Sequence, residues 1–197
     1  MQPSPPTAAG DADLEARIRS SLSAFTSMQD GREAQEAAAA IGAPGAPAVP
    51  VIQEILKDAE PAQKRWLAEA LGRIQDPSAG VLVLSLLQDP KAEVQEAAAR
   101  ALANFPEPRA VQGLTLALGS EDWPLRRDAA DSLAALKTRH GLDCSEAVPK
   151  LIDCLSDFKV FVRNSAHGAL KAITGQDLPN DPEPWKAWLK QKEGGSP

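Results

Sequence analysis

The chain has 197 residues, enough for one or two average domains, and carries a net charge of -6 with a pI near 5.0. About 35 residues are alanine, whereas aromatics make up only 4%, with no Tyr, four Phe and four Trp; this excludes a core built on large rings and requires small residues to bring helices close together. Strand-forming β-branched and aromatic residues are too scarce for sandwiches, barrels and most α/β enzymes, and the acidic balance argues against nucleic acid or an anionic membrane as partner.

Residues 1–10 are rich in Pro, Ser and Ala and are expected to be disordered. They show no cationic start and no apolar run, so no signal peptide is read; the expected compartment is the cytoplasm, the alternative being an exported mature protein whose signal was replaced by Met. No run of about 18 apolar residues could span a bilayer. Residues 11–29 read as one capping helix, with Leu14, Ile18, Leu22 and Phe25 at i, i+4, i+8 and i+11.

Two segment types then alternate. AVPVIQEILKD from Ala48, AGVLVLSLLQD from Ala79, AVQGLTLALGS from Ala110 and AVPKLIDCLSD from Ala147 align without gaps, their starts 31, 31 and 37 residues apart. Between them recurs an alanine-rich segment anchored at Ile41, Leu71, Leu102, Leu133 and Leu170. In its third copy Val94, Ala98, Ala101 and Leu102 form one apolar stripe of a 3.6-residue period, which identifies a helix. The unit is therefore a pair of helices, A and B, over 30–58, 59–89, 90–120 and 121–157, with 158–192 holding the last A helix and a C-terminal cap. Turn residues punctuate the units, and Asp-Pro pairs such as Asp76-Pro77 and Asp89-Pro90 suit helices that begin with an Asp cap and a Pro in the first turn. In the cap, Trp185 and Trp188 share a face and are expected to seal the core, whereas residues 193–197 read as a frayed tail.

Both repeated segments, over roughly residues 30–173, resemble the HEAT-repeat family, in particular its bacterial HEAT-like branch of the PBS-lyase type, with the pattern L-x-D, six residues, then V-R-x-x-A-A-x-A-L-G. The resemblance implies an all-α, right-handed α-solenoid of about five helix pairs with capping helices at both ends, forming a single domain over 11–192. It also implies an Asp-Arg ladder, which the sequence keeps poorly: Asp58 precedes Lys64, Asp89 precedes Gln95, Ser120 precedes Arg126, and only Asp157 with Arg163 retains both types.

Catalytic patterns are thin. His167 occupies a slot filled elsewhere by Ala, and His140 precedes Gly141 at a helix end, so both read as structural. His140, Cys144 and Cys154 lack metal-site spacing; Cys154 reads as a small buried hydrophobe, while a thiol at Cys144 near a helix start would have its thiolate favoured. Phosphate-binding and nucleophile-elbow motifs are absent, as are the His-Glu dipeptides of HEAT-like metal hydroxylases. No cofactor and no metal are expected. The expected function is a non-enzymatic scaffold, favoured as a monomer, that binds a partner protein or peptide. By the resemblance, its binding face is the concave one lined by B helices: Val51, Glu54, Lys57, Leu82, Ser85, Gln88, Leu116, Lys150 and Asp153. Leu82 and Leu116 suggest an apolar strip on that face. The alternative is a bilin-lyase-like enzyme or chaperone acting on a tetrapyrrole-bearing protein. Trp66 is the one large ring the repeat pattern leaves without a place.

Overall fold

A computed structural model describes residues 8–25, 31–74 and 76–194. Among them are eleven α-helices and no strand: α1 (Ala8–Phe25), α2 (Gly31–Gly42), α3 (Ala48–Leu56), α4 (Pro61–Leu71), α5 (Pro77–Leu86), α6 (Ala92–Leu102), α7 (Arg109–Ala117), α8 (Trp123–His140), α9 (Val148–Cys154), α10 (Val160–Thr174) and α11 (Pro182–Gly194). A 3-10 turn, Ser145–Ala147, takes up part of the longer fourth unit. The A helices are α2, α4, α6, α8 and α10, and the B helices α3, α5, α7 and α9. The helices group into two compact units divided between Asn104 and Phe105.

In the first unit α4 packs on both α2 and α6, α3 and α5 cover the row from one side, and α1 lies on α2 and α3. Alanine permits the close A–A packing: Ala38, Ala68, Ala70, Ala98 and Ala99 are fully buried or within 1% of it. A Cβ placed on Gly72 would come within 2.9 Å of the Ala101 Cβ, so even one methyl group at this crossing would displace α6. In the second unit α8 packs along α10, with α7 and α9 on them and α11 against α9.

The helix ends follow local chemistry. Asp76 caps α5 by accepting the Ser78 N–H at 2.9 Å, with Pro77 in the first turn, and Asp122 caps α8 by accepting the Leu125 N–H at 3.4 Å. Gly141 and Gly175, at φ 68° and 73°, close α8 and α10 in the left-handed region that favours glycine. Asp89-Pro90 departs from expectation. The Asp89 carboxylate is occupied by Lys64 Nζ at 2.9 Å and the Lys91 N–H at 3.0 Å, so α6 begins later, at Ala92, with Lys91 as its cap.

The capping helix α1 begins at Ala8 rather than Asp11, since Ala8 and Ala9 are strong helix formers; its Ile18 and Leu22 are buried as expected. The remaining lead, the end of the expected helix at Met28 and the tail beyond Gly194 lie outside the described residues.

Candidate interaction surfaces

The B helices are the first place to look for a binding face, because each contributes equivalent positions. Of the nine residues expected there, Glu54, Lys57, Ser85, Gln88, Leu116, Lys150 and Asp153 are exposed. Leu82 is half-buried, and Val51, at 7% exposure, belongs to the core. Val51 is therefore not a surface residue: α3 is packed by α1, by α4 and by α5, so more of its circumference is covered than a two-helix repeat implies.

The charges on this face are satisfied within their own helices. Lys57 Nζ lies 2.6 Å from Glu54 Oε2, Lys150 Nζ lies 3.9 Å from Asp153 Oδ2, and both pairs are solvent-exposed. Such pairs contribute little and leave a nearly neutral surface. In the second unit Leu116 of α7 stands out at 70% exposure.

Trp66 finds its place on the outer side of the A row. It lines an open groove of about 540 Å³ together with Gln35 of α2, Arg65 and Glu69 of α4, and Arg100 and Asn104 at the end of α6. The Arg65 guanidinium lies 4.7 Å from the Trp66 ring centroid, a cation–π geometry. Arg73 bonds Glu69 at 3.2 Å and Arg100 lies 3.8 Å from Glu96, so much of the groove's charge is balanced along the helices.

In the second unit the start of α10 carries a cluster that the repeat pattern does not reveal. Phe158, Val160 and Phe161 are 74%, 47% and 58% exposed, and Trp123, at the start of α8, stacks on Phe161 with centroids 5.8 Å apart. The signal in the sequence is the run Phe158-Lys159-Val160-Phe161, which holds half of the chain's phenylalanines.

The nucleophiles and potential ligands turn inward. Cys144 is fully buried with Sγ 3.7 Å from the Leu133 carbonyl, and Cys154 directs its Sγ to the Leu118 carbonyl at 3.7 Å. Burial pushes both thiols up to about 11, which corrects the expectation that a helix start favours the Cys144 thiolate. Both should resist an aromatic disulfide reagent in the folded protein and react promptly in denaturant; fast labelling of the folded chain would contradict this burial. Among the described residues no three of His, Cys, Asp or Glu converge as a metal site. His167 Nε2 bonds the Leu178 carbonyl at 2.7 Å beside the cap, a structural contact. Among the described residues, no helix is long and apolar enough to cross a membrane.

A family model for HEAT repeats matches residues 81–171, and one for the PBS lyase HEAT-like repeat matches residues 63–89. No curated protein sequence matches the chain. Among solved structures, it is similar to a chain from the complex of CpcE and CpcF of phycocyanin lyase from Nostoc sp. PCC7120, with a TM-score of 0.64 and 22% identity over 78% of this chain and 98% of that one. An engineered protein is similar at a TM-score of 0.57 and 23% identity, covering 92% of this chain and 90% of its own. At these identities the likeness is one of fold. The two HEAT-repeat matches together span residues 63–171, more than half of the chain, and coincide with the helix pairs described above: the chain belongs to the HEAT-repeat family.

Proposed function

We propose that the chain is a non-enzymatic scaffold for protein–protein interaction or assembly, taking a partner protein or peptide on the face formed by its B helices. The observation that carries this reading is Leu116: a large aliphatic side chain of a B helix, 70% exposed, in the unit whose other B helix pairs Lys150 with Asp153 internally. A face of this kind gains affinity from apolar contact rather than from ionic steering. The family supports the reading as well, since stacked repeats present equivalent positions to a partner.

Leu116→Glu is the test. Its side chain is solvated, so helicity and melting temperature should stay within measurement error, while recovery of native partners by the immobilised chain falls roughly tenfold. Unchanged recovery would remove the B-helix face from consideration. The bilin-lyase-like reading has the likeness to a phycocyanin lyase chain in its favour, and that likeness is of fold. Incubation with a free bilin separates the two: the scaffold reading expects no stable coloured complex and no transfer of pigment to an acceptor protein, and either result would overturn it.

A further inference from the structure

We infer a second docking surface, at the paired starts of α8 and α10, that takes a partner segment carrying carboxylates next to apolar or aromatic side chains. It rests on the scaffold reading only in that its ligand is a protein. The chain has eight aromatic residues, and three of them, Trp123, Phe158 and Phe161, meet on this one patch with Val160 beside them. Exposed aromatic rings grouped in this way mark sites where a partner's apolar side chains are buried.

The chemistry of the occupant follows from the charges around the rings. Lys159 Nζ lies 5.4 Å from the centroids of both Trp123 and Phe158, and the guanidinium of Arg127 lies 5.6 Å from Trp123. Three carboxylates at these helix starts are already engaged. Asp157 accepts from Arg126 Nε at 2.7 Å and from the Lys159 N–H at 2.8 Å, Asp128 accepts from Arg127 at 2.6 Å, and Asp122 caps α8. Among the described residues the Lys159 ammonium forms no such ion pair, and its contacts there are the two rings. No side chain caps the N-terminus of α10, so its positive end adds to that of Lys159 directly beside Phe161. Rings and uncommitted positive charge thus coincide, on a chain whose net charge is -6. A carboxylate on Lys159 and the α10 terminus, with its neighbouring apolar side chain laid on Phe158 or the Trp123–Phe161 pair, satisfies both at once.

Selection of short random peptides displayed on phage against the full chain tests this, with binding of each selected peptide then measured by fluorescence polarisation. The expected peptides combine Asp or Glu with Phe, Trp or Leu. Phe158→Ser with Phe161→Ser should weaken them roughly tenfold or more, Lys159→Glu should weaken them and lower their preference for acidic residues, and raised salt should weaken them further. Phe158 and Phe161 are exposed and Lys159 is half-buried against the rings, so circular dichroism is used to confirm folding of each variant. Leu116→Glu should leave these peptides bound, so failure of the B-helix face and failure of this patch are told apart. Selection of proline-rich or basic sequences, peptides indifferent to the aromatic substitutions, or self-association that those substitutions abolish would each overturn the proposal.

Discussion

Arg126→Ala is expected to destabilise the second unit by about 3–5 kcal/mol, a fall in melting temperature on the order of 10 °C. Arg126 is 6% exposed, and two of its three guanidinium nitrogens bond across the turns. Nε bonds Asp157 at 2.7 Å, while Nη1 reaches the carbonyls of Ser120 at 2.7 Å and Glu121 at 3.0 Å. One guanidinium thus ties the turn before α8 to the turn before α10. Its removal leaves Asp157, whose side chain is 8% exposed, as a buried carboxylate without its counter-charge, and that is the costly half of a broken buried pair. Arg126→Lys keeps the charge but cannot reach both turns, so its loss should lie between wild type and alanine.

Acid separates the ionic part from the rest. Burial by itself raises the Asp157 carboxyl, but the bond from Arg126, the Lys159 N–H and the charges of Arg126 and Arg163 together hold it below the usual carboxylate range. A carboxyl lowered by folding contributes stability that is complete above its unfolded value and disappears as pH falls through its folded value. The gap in melting temperature between wild type and Arg126→Ala should accordingly narrow below the ordinary carboxylate range. A gap that stays constant in acid would assign the effect to the lost carbonyl bonds instead.

This pair also shows where the sequence was legible and where it was not. The helix pairs could be read from spacing because each Ala-rich stripe and each apolar B segment returns in register, and Ala98, Ala129 and Ala166 do sit buried where the stripes place them. The ladder positions in the sequence lie six residues apart, across the turn from one repeat into the next, and there the ladder looks broken. At that spacing the A-helix side chain meets the carbonyl, not the carboxylate: Gln95 bonds Asp89 O and Arg163 bonds Asp157 O, each at 2.7 Å. The carboxylate turns instead back to the A-helix cation of its own repeat, giving Lys64–Asp89 and Arg126–Asp157, separations of 25 and 31 residues that no local pattern displays. Val51 was misplaced for a related reason, because a periodic reading of α3 cannot register α1 packed on it. Phe158 and Phe161 escaped notice because apolar residues at a helix start look alike in sequence whether or not a neighbour covers them.

The second large effect concerns the C-terminal lid. Trp185 is fully buried although it lies on the last helix, and its indole N–H donates to the Pro179 carbonyl at 2.8 Å. Its ring meets His167 of α10 edge-on at 6.2 Å and Trp188 at 6.1 Å, while His167 holds the Leu178 carbonyl. The loop between Gly175 and α11 is therefore fastened at Leu178 by His167 and at Pro179 by the indole that His167 meets. Trp185→Ala should cost about 3–5 kcal/mol by transfer and cavity terms, and the loss should fall first on α11, which packs on α9 at the end of the unit. Trp185→Phe keeps most of the buried area and forfeits one hydrogen bond, a loss of about 1 kcal/mol. Hydrogen exchange reads the difference directly. In the alanine variant amide protection should vanish over residues 182–194 and weaken in α9, with new protease cleavage in the loop at 175–181, while α2, α4 and α6 keep wild-type protection. Uniform loss across both units would show that the effect is not confined to the unit that carries the lid, and unchanged protection in α11 would show that Trp185 does not hold it.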